Sequence, residues 1–255
     1  MKTITGSLIQ ISLLTVLVGA CNSSAGGQVS NPPATISPIY NPCDNLYFPV
    51  KAGASWVYVG SGDLAESFNF TNMISVVRPD GFTLSSAFNN LNQTQEWSCT
   101  SEGLVALTFG GGPAGGISTQ GLDIEITTTN ISGVSIPANL QPASAWNYSL
   151  DLAGSIILPD GQKGQAQGTM TTPMKAIGME SVSVPAGTFE ALRVEGVPSI
   201  NLTAIYLGLP IPVSFTGKVT LWFAPGVGWI KSVQNGEFFG NSINSNVELQ
   251  SFQIP

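Results

Sequence analysis

The chain has 255 residues, of which 43% are apolar and only 9% are charged, and its formal net charge at pH 7 is −7. Disorder requires low hydrophobicity and high charge, so this composition excludes a chain that is disordered throughout. The 8 basic residues against 15 acidic ones exclude a nucleic-acid partner, whose phosphates need a basic face. The complete absence of histidine excludes histidine-dependent catalytic triads and zinc sites built on imidazole. The sequence predicts no cofactor and no metal site.

Residues 1–20 have the pattern of a secretory signal peptide. Lys2 supplies a positive charge, the segment from Leu8 to Ala20 is short and mostly apolar, and small residues end it. A helix that crosses a bilayer needs about 20 apolar residues, so this run is too short for a permanent transmembrane segment. We therefore expect residues 1–20 to be removed on export.

The end of this run, Val18-Gly19-Ala20-Cys21, resembles the lipobox of bacterial lipoproteins. The resemblance implies that Cys21 carries a diacylglyceryl group after cleavage and that acyl chains such as palmitate hold the protein on a membrane. Two acyl chains give durable anchoring, whereas one is marginal. The alternative is an ordinary signal peptide followed by a coincidental cysteine.

Residues 21–42 read as the lipidated cysteine and a flexible tether. Residues 22–39 are rich in Ser, Gly, Pro and Asn and carry no charge, which is typical of a linker. Asn22, rather than Asp, follows the cysteine. By resemblance to the sorting rule of enteric bacteria, this favours the outer membrane for a protein that we expect to be exported and lipid-anchored in the cell envelope.

Residues 43–255 predict a single antiparallel β domain because apolar and polar residues alternate along most of its length. One such face joins Phe68, Phe70, Ile74 and Val76. The longest face comprises Val213, Phe215, Val219, Leu221 and Phe223. The alternation changes phase at Gln250-Ser251, which predicts a β-bulge. We expect an all-β fold of curved antiparallel sheet, either a sandwich or a half-barrel.

Turn residues separate these runs. Pro-Asp-Gly occurs at 79–81 and again at 159–161, and both sites predict tight turns. In the segment from Val184 to Phe189, Pro185 and Gly187 predict a turn or bulge in which Gly187 has a positive φ.

Several motifs recur in the two parts of the chain. Trp56-Val-Tyr58 has an echo in Trp146-Asn-Tyr148, and in each part a tryptophan precedes a glycine by six residues, Trp97 before Gly103 and Trp222 before Gly228. Two diverged repeats, with halves 43–109 and 120–255, are one interpretation. Chance similarity is the other, because the spacings between the motifs differ.

Three blocks, Pro49-x-x-x-Gly53-x-x-Trp56-x-Tyr58, Val184-Pro-Ala-Gly-Thr-Phe-x-Ala191 and Trp222-Phe-Ala-Pro-Gly-Val-Gly228, together resemble a broad family of exported bacterial β-sheet domains. Its members are mostly uncharacterised lipoproteins, some of them called TapB-like. The resemblance implies a curved antiparallel sheet somewhat like that of the periplasmic lipoprotein carriers. It implies no reaction and no catalytic residues.

Candidate chemical groups are few. Asp123 and Glu125 share one strand face, about 7 Å apart, a separation at which two carboxylates can hydrolyse a glycosidic bond. The alternative is the polar side of an amphipathic strand. Trp222 lies on the polar phase of its strand, so either a second layer covers it or it faces a ligand in a groove.

The two remaining cysteines predict a disulfide. With Cys21 lipidated, Cys43 and Cys99 form an even pair in an oxidising compartment. The competing interpretation is two buried thiols packed as small apolar groups.

Three functions follow from these observations. The first is a membrane-anchored, non-enzymatic envelope lipoprotein that binds a ligand or an envelope protein partner, or has a structural role. The second is a carrier of a lipid or other apolar ligand in the concave face of the sheet. The third is a hydrolase that uses Asp123 and Glu125.

Overall fold

Alternating apolar and polar residues form strands along most of the chain. The computed structural model describes residues 41–255, apart from 64, 89–90, 110–123, 158–162, 207–208 and 239–240. Within these residues it has fourteen strands: β1 Ser55–Gly62, β2 Ala65–Arg78, β3 Gly81–Phe88, β4 Leu91–Cys99, β5 Gly103–Ala106, β6 Ile124–Gly133, β7 Ile136–Pro137, β8 Ala145–Ile157, β9 Lys163–Val184, β10 Gly187–Gly196, β11 Ser199–Tyr206, β12 Leu209–Ala224, β13 Gly228–Phe238 and β14 Asn241–Gln253. The expected all-β class is confirmed, and these residues belong to one compact unit, Tyr40–Pro255.

All these strands belong to one antiparallel sheet that curves back on itself. Its hydrogen-bonded order is β6-β8-β9-β10-β12-β13-β14-β1-β2-β3-β4-β5-β7. The two ends of this order are consecutive in the chain, because β6 ends at Gly133 and β7 begins at Ile136. Sequence neighbours are thus sheet neighbours almost all the way round, as in an up-and-down barrel. The curved antiparallel sheet, expected from sequence as a sandwich or a half-barrel, therefore closes in a barrel-like ring.

One position in the ring is shared by two strands. β10 pairs with the part of β9 that ends at Val184, while β11 pairs with the earlier part of β9, and both pair with β12. The break between them falls at Val197-Pro198, where proline has no N–H to donate to a ladder. The Pro198 carbonyl still accepts a hydrogen bond from Gly217, at 3.0 Å.

The predicted apolar faces point into the ring. In β12 the five residues predicted to share a face are all buried: Val213, Phe215, Val219, Leu221 and Phe223. The phase change near the end of the chain is a bulge as predicted, because Val57 pairs with Ser251 while Tyr58 pairs with Leu249. Gln250 is the extra residue.

Val76 does not share the face of Phe68, Phe70 and Ile74. The pairing of β2 with β3 shifts between Ile74 and Val76, and Val76 is 47% exposed. The expectation for Val76 was wrong because a bulge at Ser75 reverses the alternation. A bulge inserts one extra residue into a strand, and the composition of the strand does not reveal it.

The strand order of the first part of the ring recurs in the second. The run β1-β2-β3-β4-β5 corresponds to β8-β9-β10-β12-β13, and the last strand of each part, β6 or β14, pairs with the first strand of the other. This order assigns β6 to the first part. The predicted halves, 43–109 and 120–255, place the boundary across residues 110–119. A boundary between Pro137 and Ala145 fits the strand order better. The common origin of the two parts stays a prediction.

The recurring motifs occupy corresponding places with one exception. Trp56 and Trp146 lie in β1 and β8, and the links from Trp97 to Gly103 and from Trp222 to Gly228 both join a fourth strand to a fifth. The two Pro-Asp-Gly sites do not correspond. Residues 79–80 link β2 to β3, as predicted, whereas 159–161 lie outside the described residues, between β8 and β9. The counterpart of the first is Pro185-Ala186, which links β9 to β10.

Candidate functional site

The segment before β1 is fastened to the ring by the disulfide. Cys43 and Cys99 are bonded, with Cα atoms 4.9 Å apart, which agrees with the pairing expected from sequence. Both are buried, at 1% and 6% exposure, beside the turn from β2 to β3. We call this the disulfide end of the ring. Cys21 and the tether up to residue 40 lie outside the described residues.

Aromatic side chains fill the disulfide end. The Phe48 ring lies 5.6 Å from Trp56, 5.7 Å from Phe82 and 5.6 Å from Trp97, measured between centroids. Trp56, Phe82 and Trp97 are at most 2% exposed. Such packing excludes water, so this end of the ring is a core rather than an entrance.

Trp222 lies on the outer face of the ring. It is half-buried, and its Nε1 donates a hydrogen bond of 2.5 Å to Oε1 of Glu180. The Lys231 ammonium lies 5.9 Å from its ring centroid and also pairs with Glu248, at 2.7 Å. Polar side chains of neighbouring strands, rather than a second sheet, contact this tryptophan. Its role as a ligand-facing residue stays a prediction.

The carboxylates proposed for hydrolysis lie outside the described part of the chain. This applies to Asp123 entirely and to the side chain of Glu125. In the described part, Glu96 pairs with Arg78 and Glu195 with Arg193, and all four side chains are more than a third exposed. These two ion pairs thus lie at the surface.

The inner wall carries a strip of aromatic rings that runs away from the buried centre. Tyr58 lies 4.4 Å from Trp229 and 4.9 Å from Phe70, again between centroids. Phe68 continues the strip at 6.3 Å from Phe70 and contacts Phe88 at 5.6 Å. Tyr58 is 2% exposed, whereas the three phenylalanines are only half-buried. The strip therefore extends from the core toward the end of the ring opposite the disulfide, which we call the far end.

Two polar residues of β13 face the interior beside this strip. Ser232 pairs with Leu221 and Gln234 pairs with Val219, and both partners are at most 1% exposed, so the four side chains share the inner face. Ser232 and Gln234 are themselves only 5% and 4% exposed. The buried side-chain nitrogen and oxygen atoms without a hydrogen-bond partner in the described residues are Trp97 Nε1, Trp146 Nε1, Arg193 Nε and Asn246 Oδ1, so the polar atoms of Ser232 and Gln234 are not among them.

Small side chains surround these two residues. Gln234 pairs across the strands with Ser245, and Ser232 pairs with Val247, whose other neighbour is Gly60. The Phe68 ring lies directly over Gly60, where any Cβ would collide with it. On the other side, a Cβ at Gly236 would come within 2.7 Å of the Phe215 ring. Between these two rings the inner face of the sheet carries three polar residues, Ser232, Gln234 and Ser245, which we call the polar patch.

The sequence did not indicate that Ser232, Gln234 and Ser245 form a polar patch on the inner face. The pairing of β12 with β13 shifts at Ile230, which makes Trp229 and then Ser232 and Gln234 inward-facing. Without that bulge, Val233 is the more natural inward residue. Residues 231–236, Lys-Ser-Val-Gln-Asn-Gly, show no alternation of apolar and polar residues. The sequence of this segment therefore does not indicate which of its side chains face the interior.

Two features are absent from the described residues. No helix among them has the length and hydropathy to cross a membrane. They also hold no group of three or more Cys, Asp or Glu side chains placed to bind a metal ion.

The strand order and the buried residues define an all-β, barrel-like protein with an apolar interior. Residues 113–242, about half of the chain, match the DUF3108-like family, and the chain belongs to it. The narrower TapB-like assignment stays a prediction. No curated protein matches the sequence.

A solved structure shares the fold. A protein of Bacteroides fragilis NCTC 9343, described as exported and of YmcC-like fold, is 14% identical with a TM-score of 0.54, covering 83% of this chain and 100% of that one. A lipoprotein of Parabacteroides distasonis ATCC 8503 is 18% identical with a TM-score of 0.47, covering 83% and 99%. At 14% identity, the likeness to the Bacteroides fragilis protein shows the fold alone.

Proposed function

We propose that this protein is a lipid-anchored, non-enzymatic component of the cell envelope whose β domain is a binding module. The lipobox-like Val18-Gly19-Ala20-Cys21 supports the anchor. The Bacteroides fragilis protein of similar fold is described as exported, which supports secretion of this chain. The predicted tether within residues 21–42 and the disulfide at Cys43 suit a domain held at a membrane in an oxidising compartment.

The observation that carries the binding role is the interior of the ring. The aromatic strip leads from buried Tyr58 to half-buried Phe68, so apolar surface continues from the core toward the far end. Ligand sites in proteins are mostly apolar with a few placed polar groups, and Gln234 and Ser232 are such groups. This favours the carrier of an apolar ligand over a purely structural role.

Cell fractionation tests the anchor. The Cys21→Ser variant has no thiol for the acyl chains, so we expect it to move from the membrane pellet to the soluble fraction. The Cys43→Ser/Cys99→Ser double variant keeps Cys21 and serves as the control, which should stay in the pellet. A Cys21→Ser protein that still sediments firmly with membranes would refute the lipid anchor.

A further inference from the structure

We propose that the disulfide end of the ring lies on the membrane that carries the Cys21 anchor, with Leu46, Met179 and Phe252 against the surface of the bilayer. We call these three residues the apolar rim. The inference rests on the lipid anchor of the proposed function and adds the surface through which the folded domain contacts the lipid.

Large apolar side chains are exposed at the disulfide end. Leu46 is 60% exposed, Met179 44% and Phe252 39%. The Leu46 carbonyl accepts a hydrogen bond of 2.8 Å from Gly226, in the link from β12 to β13. The hydroxyl of the next residue, Tyr47, donates to the Met179 sulfur at 3.8 Å, which places Met179 close to Leu46. Single exposed apolar residues are ordinary, whereas a group of them at one end of a domain indicates contact with a partner.

The β9–β10 hairpin joins Phe252 to this group. The link between these two strands bonds to β14, because the Ala186 N–H donates to the Leu249 carbonyl at 3.0 Å. Phe189 of β10 contacts Phe252, with ring centroids 6.1 Å apart. Met179 belongs to β9 of the same hairpin. One hairpin therefore connects the members of the apolar rim.

The place where the described chain begins selects a membrane as the partner. It begins at Asn41, and Cys43 fastens it to the disulfide end. A flexible chain as long as residues 22–40 spans about 24 Å on average. β13, which runs from the disulfide end to the far end, is about 36 Å long. The anchor therefore keeps the apolar rim nearer to the bilayer than the far end, and this proximity favours a contact that is weak by itself.

Acidic side chains at the same end decide which lipids the rim contacts. Asp44, Asp80 and Glu190 are exposed there. Lys51 lies there as well, and its ammonium donates to the Pro255 backbone oxygen at 3.0 Å. Anionic headgroups attract basic segments and repel carboxylates, so apolar burial rather than charge holds the rim on the bilayer. Zwitterionic lipid should therefore be preferred to anionic lipid.

Energy transfer from the domain to the bilayer tests this orientation. The acylated protein is reconstituted on phosphatidylcholine vesicles that contain a rhodamine-labelled lipid as acceptor. A donor dye is attached through Glu190→Cys at the disulfide end or through Glu237→Cys at the far end, and both positions are exposed. Because Cys21 is acylated and Cys43 is bonded to Cys99, the added thiol is the one that reacts. We expect more efficient transfer from position 190 than from position 237.

Rim variants separate docking from tethering, because the tether alone already favours position 190. Leu46→Ser/Phe252→Ser should roughly halve the difference in transfer between the two dye positions, since two apolar side chains no longer enter the bilayer. Leu209→Ser is the matched control: Leu209 is 68% exposed at the far end, and its loss should leave both efficiencies unchanged. Leu46→Ser alone should act in the same direction as the double variant. It leaves the contact between Phe189 and Phe252 intact, so it keeps the test valid if the double variant melts early.

Each outcome decides one part of the proposal. Equal transfer in the parent and in folded Leu46→Ser would show that the tether alone sets the distance, and would overturn the docking. A larger effect of Leu209→Ser would overturn the choice of end. Replacing part of the phosphatidylcholine by phosphatidylglycerol should lower transfer from position 190, and a rise would overturn the apolar basis of the contact. A parent protein that does not sediment with the vesicles would overturn the anchor and the docking with it, whereas equal transfer in a vesicle-bound protein overturns the docking alone.

Discussion

The Tyr148 hydroxyl donates a hydrogen bond of 2.5 Å to the backbone carbonyl of Ala106, and both residues are buried. This bond connects β8 to β5 across the place where the two ends of the sheet meet. Tyr58 makes the corresponding bond in the other part of the ring, to the Trp229 carbonyl at 2.9 Å. In each part, the tyrosine of the Trp-x-Tyr motif therefore bonds to the fifth strand of the other part. Tyr148 bonds to β5 and Tyr58 bonds to β13.

The Tyr148 bond predicts an alkaline loss of stability. Burial raises the pKa of Tyr148 to about 12, against a smaller lowering by a hydrogen bond from the Ser135 side chain. Because the unfolded chain ionises near pH 10 and the folded one near 12, stability is full below pH 10 and falls as the pH rises to 12, by about 2 to 3 kcal/mol.

Urea unfolding at pH 8, 10 and 11.5 measures this loss. Tyr148→Phe should be less stable at pH 8 by about 1 to 3 kcal/mol, because it leaves the Ala106 carbonyl unpaired. It should then lose less stability than the parent between pH 10 and 11.5. An identical alkaline slope in both proteins would contradict the assignment to Tyr148.

Gly187 has a φ of +136°, so its predicted positive φ is confirmed. A Cβ there would meet the Phe189 ring at an ordinary 3.7 Å, which leaves backbone strain as the only cost of Gly187→Ala. We expect a loss of about 1 kcal/mol or more in unfolding free energy.

Gly178, on the same hairpin, provides the control. It has no atom within 4 Å of its Cβ position and no positive φ. Gly178→Ala should therefore be neutral or stabilising, and equal effects of the two variants would count against the turn geometry.

We expect the Cys43–Cys99 disulfide to contribute a large share of the free energy of unfolding of the domain. It closes a separation of 56 residues, for which loop entropy gives about 4 kcal/mol. The Cys43→Ser/Cys99→Ser double variant should unfold at a much lower denaturant concentration than the parent. Dithiothreitol should lower the parent to the same midpoint and leave the double variant unchanged. A parent midpoint that reducing agent does not move would show that the bond contributes nothing.

Much of the fold was predictable because strand alternation is a local property. The inward face of β12 follows from its own residues, Val213 to Phe223, and the bulge at Gln250 follows from a visible change of phase. The disulfide needed only the count of cysteines and the compartment.

The ring closure and the interior site were not predictable in this way. Closure depends on contacts such as Tyr148 with Ala106, which are far apart in the chain. The bulges at Ser75 and Ile230 leave no compositional mark, yet they decide that Val76 faces outward and that Gln234 faces inward. From sequence alone, a polar residue on a strand is expected to face solvent, and only its partners in the sheet show whether it faces the interior.

Native mass spectrometry of the full chain carrying Cys21→Ser, purified from cells without detergent, tests the central claim most directly. A barrel-like carrier should retain a single apolar ligand, visible as one added mass per chain and identified after extraction. Gln234→Leu, which changes a buried polar residue of the inner face, should retain less of it than Gln167→Leu, which changes an exposed residue of β9. A parent chain found only at its bare polypeptide mass, in several preparations, would contradict an interior binding site.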